Sequence, residues 1–553
     1  MTKHLIIGGV AAGMSAAARL RRLDENAEII VLERGEYISY ANCGLPYYVG
    51  DEITVRDNLL LQTPESFRSR FNVEVRILNE ALSLHPDLKT VLVKNLVTGE
   101  SYQESYDTLL LAPGGSPLRP AIPGIDHPAI QTLWTIPNTD EIRARVDGGL
   151  VKKAVVVGGG FIGLEMAENL RLRGLDVTLL DMAPQVMNVI DPEMAAIVHR
   201  ELRNNGVELL LNETVNGFEP LAGGRVRVQL GNGGVREAEL VLLSIGVKPN
   251  TGFLADSGIE LGARGHIVVN RQLRTNRPDI FAAGDAIEVV NPFTGKKTAV
   301  PLAGPANKQG RIAAGNMHGV NVKSYDSTMG TAIAKVFDLA VGVTGATEKF
   351  CRAESIPYKS VIIHSNHHAG YYPGASMLSF KLIFSPETRT ILGAQLIGKD
   401  GVDKRIDVIA TAIKGGMTVD DLTEIEHAYA PPYSSAKDPV NMIGFVAQNV
   451  LDGLVQTITF DKLEEAVHEG TYLLDVRSPL EYAEGSIAGA VNIPLDVLRN
   501  KLADLPCDRT IVVFCKVGLR GYIAARILYA HGFSVCLNLS GGYETYSVTH
   551  SVV

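Results

Sequence analysis

The sequence predicts an α/β protein: two parallel nucleotide-binding sheets, an α+β segment behind them, and a smaller α/β domain near the C-terminal end. Three observations carry that prediction. Residues 5–13 and 155–163 each pass from an apolar run into a glycine-rich turn and on into a helical pattern. Each is answered by a second apolar run ending in an acid, Glu33 and then Asp181, the spacing of a strand–turn–helix–strand unit that grips a dinucleotide. Far downstream, an apolar run ends at Cys515, and a short loop to Arg520 opens another helical pattern.

A chain of 553 residues is too long for one hydrophobic core and implies three or four domains. Apolar residues at 46% and charged residues at 20% describe a folded globular protein. The net charge of −9 argues against nucleic acid as a partner, while leaving room for a local basic pocket. The opening MTKHLIIGGVAAG runs straight into a glycine turn, so no signal peptide is expected. No apolar run approaches the roughly 20 residues of a membrane span, so no membrane partner is expected. The five cysteines (Cys43, Cys351, Cys507, Cys515 and Cys536) are few, odd in number and widely spaced. That suits a reducing, cytoplasmic location with one or two working thiols.

In the first unit, Gly8, Gly9 and Gly13 form the turn, Ala11 opens the helix, and small residues follow; the middle position of the glycine fingerprint is Val10. The second unit is cleaner, with Gly158, Gly160 and Gly163 in the turn and Phe161 and Ile162 starting the helix. Such turns let a pyrophosphate approach a helix N-terminus, where free N–H groups favour anions. Asp181 at the second strand end would repel a 2′-phosphate, so NADH is expected over NADPH, with Arg171 and Arg173 keeping NADPH open. Residues 106–117 and 240–250, the latter holding Gly246, read as crossings between two nucleotide domains. In LRTNRPDIFAAGDAIE, Asp285 follows Ala283–Gly284, where it can bond a ribityl hydroxyl beside a helix N-terminus.

Together these segments resemble the pyridine-nucleotide-disulfide oxidoreductase family over roughly residues 1–445. The resemblance implies two Rossmann-like domains, one for FAD (1–112 and 246–325) and one for NAD(P)H (113–245), then an α+β dimerisation domain (326–446). It also implies that Arg34, Asn42, Ala303 and Tyr429 join the glycines, Glu33, Asp181 and Asp285 in holding cofactors.

Dithiol members of that family pair a C-x-x-x-x-C disulfide with a C-terminal His–Glu dyad. Here the position five beyond Cys43 is Tyr48, and five beyond His427 is Pro432. SYANCGLPYYVG, HHAGYYPGA and HAYAPPYSSAKD instead resemble the single-cysteine branch, above all the coenzyme A disulfide reductases. That resemblance implies Cys43 as the redox cysteine, with Tyr371 and Tyr429 contributed by the partner subunit of a homodimer. Tyr372 and Tyr433 stand close enough to compete for the tyrosine roles. His367 and His368 lack an evident third ligand and read as a polar loop, so no metal is expected. NADH oxidases and peroxidases use the same cysteine with a histidine often placed in the first glycine turn; here that turn is GGVAAG.

Coenzyme A recognition follows from charge. Arg19 and Arg22 are three apart and so share a helix face. With Ser15 they can hold a 3′-phospho-ADP end, leaving a pantetheine arm to reach Ser39, Asn42 and Cys43. The resemblance adds Asn307 and Lys437 to this set. Asn42, nearby N–H groups and the electron-poor ring of the oxidised flavin are expected to stabilise the Cys43 thiolate.

After a linker at 447–456, residues 457–553 resemble a rhodanese domain, with the match running from about Asp475 to Gly542. One departure is Ser486, where relatives often carry His; a structural contact is expected there. Backbone N–H groups after Cys515 and the helix start beyond should favour a sulfur anion, with Arg520 assisting. C-x-x-x-x-x-R is also a phosphatase signature, which is the rival reading for this loop.

The expected activity is NADH-dependent reduction of CoA persulfide or polysulfide, with CoA disulfide as a related substrate, through Cys43 and with sulfane sulfur supplied by Cys515. The alternatives are a CoA-disulfide reductase for thiol balance, a sulfurtransferase with a regulatory flavin half, and an NADH oxidase or peroxidase.

Overall fold

Apolar runs flanked by glycine turns form parallel sheets covered by helices, as the sequence predicts. The structure is a computed structural model and describes residues 2–320 and 322–550. Met1, Asn321 and residues 551–553, which the expected domain limits include, lie outside the described residues. The chain divides into two units, one of residues 1–184 and 206–330, the other of residues 185–205 and 331–553.

The first unit holds two five-stranded parallel sheets. One runs Ile280–Ala282, Thr108–Leu111, Lys3–Ile7, Glu28–Leu32, Glu74–Arg76, with Leu5 opposite Ile30 and Leu109. Its outer strand at 280–282 comes from the returning chain, so this sheet is closed by residues far apart in sequence. The other runs Glu208–Leu210, Asp176–Leu180, Lys153–Val157, Leu240–Leu243, Ile130–Gln131. The strand residues are buried on both faces (Leu5, Ile6, Leu109 and Val156 have no exposed area), which is why they read as continuous apolar runs rather than alternating ones. The helices Ala11–Leu23 and Phe161–Leu172 pack onto the turns themselves. A Cβ at Gly13 would lie 1.9 Å from the Gly8 carbonyl oxygen, and one at Gly163 would lie 1.9 Å from that of Gly158. Val10 departs from the fingerprint, and its φ of −115° is not the left-handed conformation that calls for glycine.

In the second unit an antiparallel sheet runs Ala332–Val336, Leu339–Gly345, Ile391–Gly398, Met377–Phe384, Lys359–Asn366. The helices Val402–Gly415 and Pro439–Leu451 accompany it. A five-stranded parallel sheet follows, in the order Gln456–Ile458, Cys536–Leu539, Ile511–Phe514, Tyr472–Asp475, Val491–Asn492. The expected linker 447–456 is shorter than anticipated: helix continues to Leu451, and Gln456 already pairs with Leu537. Apolar side chains throughout Pro439–Leu451 propagate the helix past the expected boundary. The C-terminal sheet is pinned to the antiparallel one by polar contacts. The Ile362 N–H donates to Ser540 Oγ (3.0 Å), and His364 Nε2 meets Thr545 Oγ1 at 2.8 Å.

Residues 185–205 lie in sequence between the strands Asp176–Leu180 and Glu208–Leu210 of the second nucleotide sheet, and they pack with the second unit. A buried charge cluster holds them there. Asp191 accepts hydrogen bonds from the N–H groups of Glu348 (3.0 Å) and Lys349 (3.1 Å) and from Gln395 Nε2 (2.6 Å). The Lys381 ammonium, fully buried, sits between Asp191 (2.9 Å), Glu348 (2.6 Å) and Glu193. Burial acts to raise the Glu348 carboxyl, but Lys381 outweighs it and holds Glu348 at about 2, while burial pushes Glu193 up. No sequence periodicity announces this cluster, since its members come from four separated segments. Among the described residues no helix is long and apolar enough to cross a membrane.

Removing the ammonium leaves three buried carboxylates without their cation. Lys381→Met is expected to lower stability by about 3–5 kcal/mol at neutral pH, read by urea unfolding. A depressed carboxyl stabilises above its unfolded value of about 4.3 and loses that contribution as pH falls toward its folded value. The gap between wild type and variant should therefore narrow from about pH 4 downward as Glu348 takes up its proton.

Candidate active site

The two glycine turns share one device. Glu33 accepts from the N–H of Gly9 and of Gly35, both at 2.7 Å. Asp181 accepts from the N–H of Gly159 (2.7 Å) and of Ala183 (2.8 Å). Each acid thus ties the end of the second strand to the glycine turn, and a carboxylate has lone pairs left for ribose hydroxyls. Gly8 and Gly158 take φ of +108° and +104°, a conformation reserved for glycine. Gly160 has no atom within 4 Å of where a Cβ would stand, which leaves open space at the N-terminus of the helix that Phe161 and Ile162 begin. Ala11 opens the other helix, Ala303 opens the helix Ala303–His318, and Gly246 takes φ +110°. Asp285 is half-buried, and burial pushes its carboxyl up. Arg34 is exposed and donates to Ser116 Oγ at 3.1 Å. These cradles, acids and open helix ends fit a dinucleotide at each turn.

Cys43 lies in the one-turn helix Asn42–Gly44, with both Asn42 and Cys43 exposed. Ser39, at φ +43°, is held by its N–H on the Gly9 carbonyl (2.9 Å) and so couples this segment to the first turn. The helix Leu45–Val49 that follows is clamped to Phe161–Leu172. A Cβ on Gly50 would meet Asn169 Oδ1 at 1.7 Å, the Tyr47 hydroxyl donates to Glu165 at 3.4 Å, and Arg173 bonds the Val49 carbonyl at 3.0 Å. Tyr48, where a second cysteine would stand, is buried beneath the Arg143 guanidinium, 4.2 Å from its ring centre. Among the chain's own groups, those nearest the sulfur oppose its anion. Although the residue has open surface, the protein packed around its sulfur partly desolvates it, and this desolvation, then the carboxylates of Glu165 and Asp285, push the Cys43 thiol up. Glu165 itself is pushed up to about 7 by burial. Sequence reasoning missed Glu165, because it lies over a hundred residues from Cys43 on the other nucleotide unit.

The basic helix face gains a third arginine. The helices Ala11–Leu23 and Ala303–His318 touch backbone to backbone, a Cβ at Gly310 falling 2.1 Å from the Ala12 carbonyl oxygen. Ser15 donates to Asn307 across that contact. Arg22 is exposed, and burial with the charges of Arg311 and then Arg19 pushes its guanidinium down. Three converging cations beside two polar side chains suit a phosphorylated ligand. Arg311 was missed because the Ala303–His318 segment shows its partner only in three dimensions.

Tyr371 and Tyr429 come together with their hydroxyls 3.3 Å apart, both exposed. Tyr372 instead packs edge-on against His368 at 5.6 Å. Arg405, fully buried, joins the two tyrosine loops by bonding the His367 carbonyl (2.6 Å) and Asp438 (2.9 Å). Lys437 borders an open cavity of ≈450 Å³ with Ser365, Asn366 and His368.

Cys515 ends the strand Ile511–Phe514, and the Gly518 N–H lies 3.1 Å from its sulfur. Main-chain bonds from Tyr543 N to the Cys515 carbonyl (2.8 Å) and from Glu544 N to that of Lys516 (2.9 Å) brace the loop. Ser486 donates to Asp475 (2.7 Å), the structural contact expected of it. Arg520 forms a two-point ion pair with Glu481, a residue the sequence reading did not single out.

Two dinucleotide cradles, a lone cysteine between them and a second cysteine in an anion-favouring loop define a nucleotide-dependent oxidoreductase of sulfur. Residues 2–310 match the pyridine nucleotide-disulphide oxidoreductase family, residues 331–439 its dimerisation domain, and residues 459–549 the rhodanese-like domain. The chain belongs to the pyridine nucleotide-disulphide oxidoreductase family, is an FAD-dependent oxidoreductase, and carries a rhodanese domain behind its dimerisation domain. It is 35% identical over 450 residues to the coenzyme A disulfide reductase of Staphylococcus haemolyticus, covering 81% of this chain and 100% of the relative. The reduced CoADR-RHD of Bacillus anthracis superposes with a TM-score of 0.97 at 49% identity, covering 99% of this chain and 98% of that one. The NAD-dependent persulfide reductase from A. fulgidus gives 0.92 at 36% identity, covering 99% and 100%.

Glu165 supplies a test of the Cys43 site. Glu165→Gln removes a negative neighbour, so the pH profile of Cys43 alkylation by iodoacetamide should move down by about one unit. Wild type and variant should differ most above pH 7, where Glu165 is ionised.

Proposed function

We propose that this protein is an NADH-dependent CoA-persulfide and polysulfide reductase that also reduces CoA disulfide. The observation that carries this reading is the presence in one chain of two distinct sulfur sites, a single cysteine on the nucleotide-binding unit and a rhodanese-like cysteine with an N–H on its sulfur. A plain disulfide reductase has no use for the second. The names of the A. fulgidus and staphylococcal relatives support persulfide and CoA-disulfide chemistry respectively.

In this reading FAD, held by the turn at Gly8, Gly9, Ala11 and Gly13 with Glu33, Arg34, Asn42, Asp285 and Ala303, would pass two electrons from NADH to sulfur at Cys43. Asp181 selects NADH by opposing a 2′-phosphate. Ser15, Arg19, Arg22, Asn307 and Arg311 hold the phosphates of CoA, and Ser39 and Asn42 guide its arm. The Cys43 thiolate attacks the inner sulfur of CoA–S–SH, forming Cys43–S–S–CoA and releasing HS⁻. Two electrons then cleave that disulfide to the Cys43 thiolate and CoA thiolate. With CoA disulfide the first leaving group is CoA thiolate instead. Glu165, poised near neutrality, accepts the Cys43 proton. In a homodimer Tyr371, Tyr429 and Lys437 reach the site of the partner subunit. Cys515, assisted by Arg520, loads sulfane sulfur onto CoA thiol.

Cys515→Ser is expected to abolish NADH oxidation with polysulfide while sparing it with CoA persulfide, and Cys43→Ser to abolish both. Steady-state NADH consumption with each acceptor checks this; survival of polysulfide turnover in Cys515→Ser would sink the relay.

A further inference from the structure

Cys515 is fully buried, although its loop reaches the surface, where Lys516 is exposed. The Arg520 guanidinium stands within electrostatic reach of the sulfur and holds Glu481, Nη1 to Oε2 at 2.7 Å and Nη2 to Oε1 at 2.6 Å. Arg520, ahead of burial and the Ser478 bonds, holds the Glu481 carboxyl at about 2, so the pair stays ionised. Glu481 also closes a capping box, its Oε2 accepting from the Ser478 N–H at 2.9 Å. The cation nearest the sulfur is therefore already matched by an anion, as a loop built to bind a phosphate or thiosulfate dianion would not be. Apolar side chains flank the pair. Leu480 adjoins Glu481 and is 78% exposed, Leu519 adjoins Arg520 at 59%, and Ile523 stands one helical turn on from Leu519 at 38%.

We propose that Glu481 sets the donor class of Cys515. By cancelling the Arg520 charge over the sulfur, it disfavours dianionic donors and favours sulfane sulfur carried on an uncharged, partly apolar thiol arm of the pantetheine kind. This rests on the reading of Cys515 as a sulfur-transfer nucleophile. The Cys515 thiolate attacks the terminal sulfur of R–S–S⁻, the S–S bond breaks, RS⁻ leaves with the electron pair, and Cys515–S–S⁻ remains. Cyanide then removes the outer sulfur as thiocyanate and restores the thiolate. Glu481 is a positioning and specificity residue, acting through Arg520 and not on the donor itself.

The test uses the full-length holoenzyme and measures thiocyanate formed from thiosulfate and from pantetheine persulfide. Glu481→Gln deletes the charge but keeps the capping oxygen, and intact NADH-dependent reduction of CoA disulfide reports an intact fold. The expected result is a shift of about tenfold in kcat/KM toward thiosulfate, carried by its KM, with kcat for pantetheine persulfide little changed. Glu481→Asp should restore most of the wild-type preference, and Ser478→Ala, which loosens the cap but leaves the charge, should keep it. An unchanged donor ratio in Glu481→Gln, or an equal loss with both donors, overturns the proposal. Thiocyanate formation that persists in Cys515→Ser overturns the sulfur-transfer reading itself, independently of Glu481.

Discussion

The contact that leaves no room for a Cβ at Gly50 governs the reductive centre. It presses the helix Leu45–Val49 onto Asn169 of the helix Phe161–Leu172 and so fixes Cys43 beside Glu165. The cysteine rides on one nucleotide unit and the carboxyl on the other, so their spacing is set by packing, not by chain connectivity. Tyr48, locked under Arg143, completes the clamp and fills the position a second cysteine would take. The anchoring of that helix thus leaves Cys43 without a neighbouring cysteine on its own segment, and in the proposed reading the second sulfur arrives from outside the chain.

The two cysteines stand in opposite electrostatic settings. Cys43 faces carboxylates, Glu165 and Asp285, that oppose its anion. Cys515 has an N–H and a guanidinium directed at its sulfur. A carboxyl near neutrality beside one sulfur is suited to proton exchange, whereas the other sulfur has a fixed main-chain donor.

Much of this was legible in the sequence because it is local. The glycine turns, Glu33, Asp181 and the Cys515 loop lie in short motifs whose residues act near where they occur. What stayed hidden joins distant segments: Arg311 reaching Arg22, Arg405 tying His367 to Asp438, Lys381 gathering three acids, and Glu481 meeting Arg520. Each is a charged residue on an otherwise ordinary helix or strand, and one sequence does not reveal which charge will be buried against which. The same limit hid the packing of residues 185–205, where Lys381 captures the acid at the start of their helix.

The bonds that brace the Cys515 loop continue without a break through Tyr543 and Glu544 to Thr545, and from Thr545 to His364 on the strand leading to the Tyr371 loop. A catalytic module mounted in this way acts as a stator. These bonds tie the Cys515 loop to the strand that leads to the tyrosine pair, and the proposed relay then draws on no swinging of a tethered domain. Under the proposed relay, effective concentration is governed by the length and compliance of the small-molecule arm that carries the sulfur, and the reach of that arm becomes a selective criterion for the carrier as stringent as its chemistry.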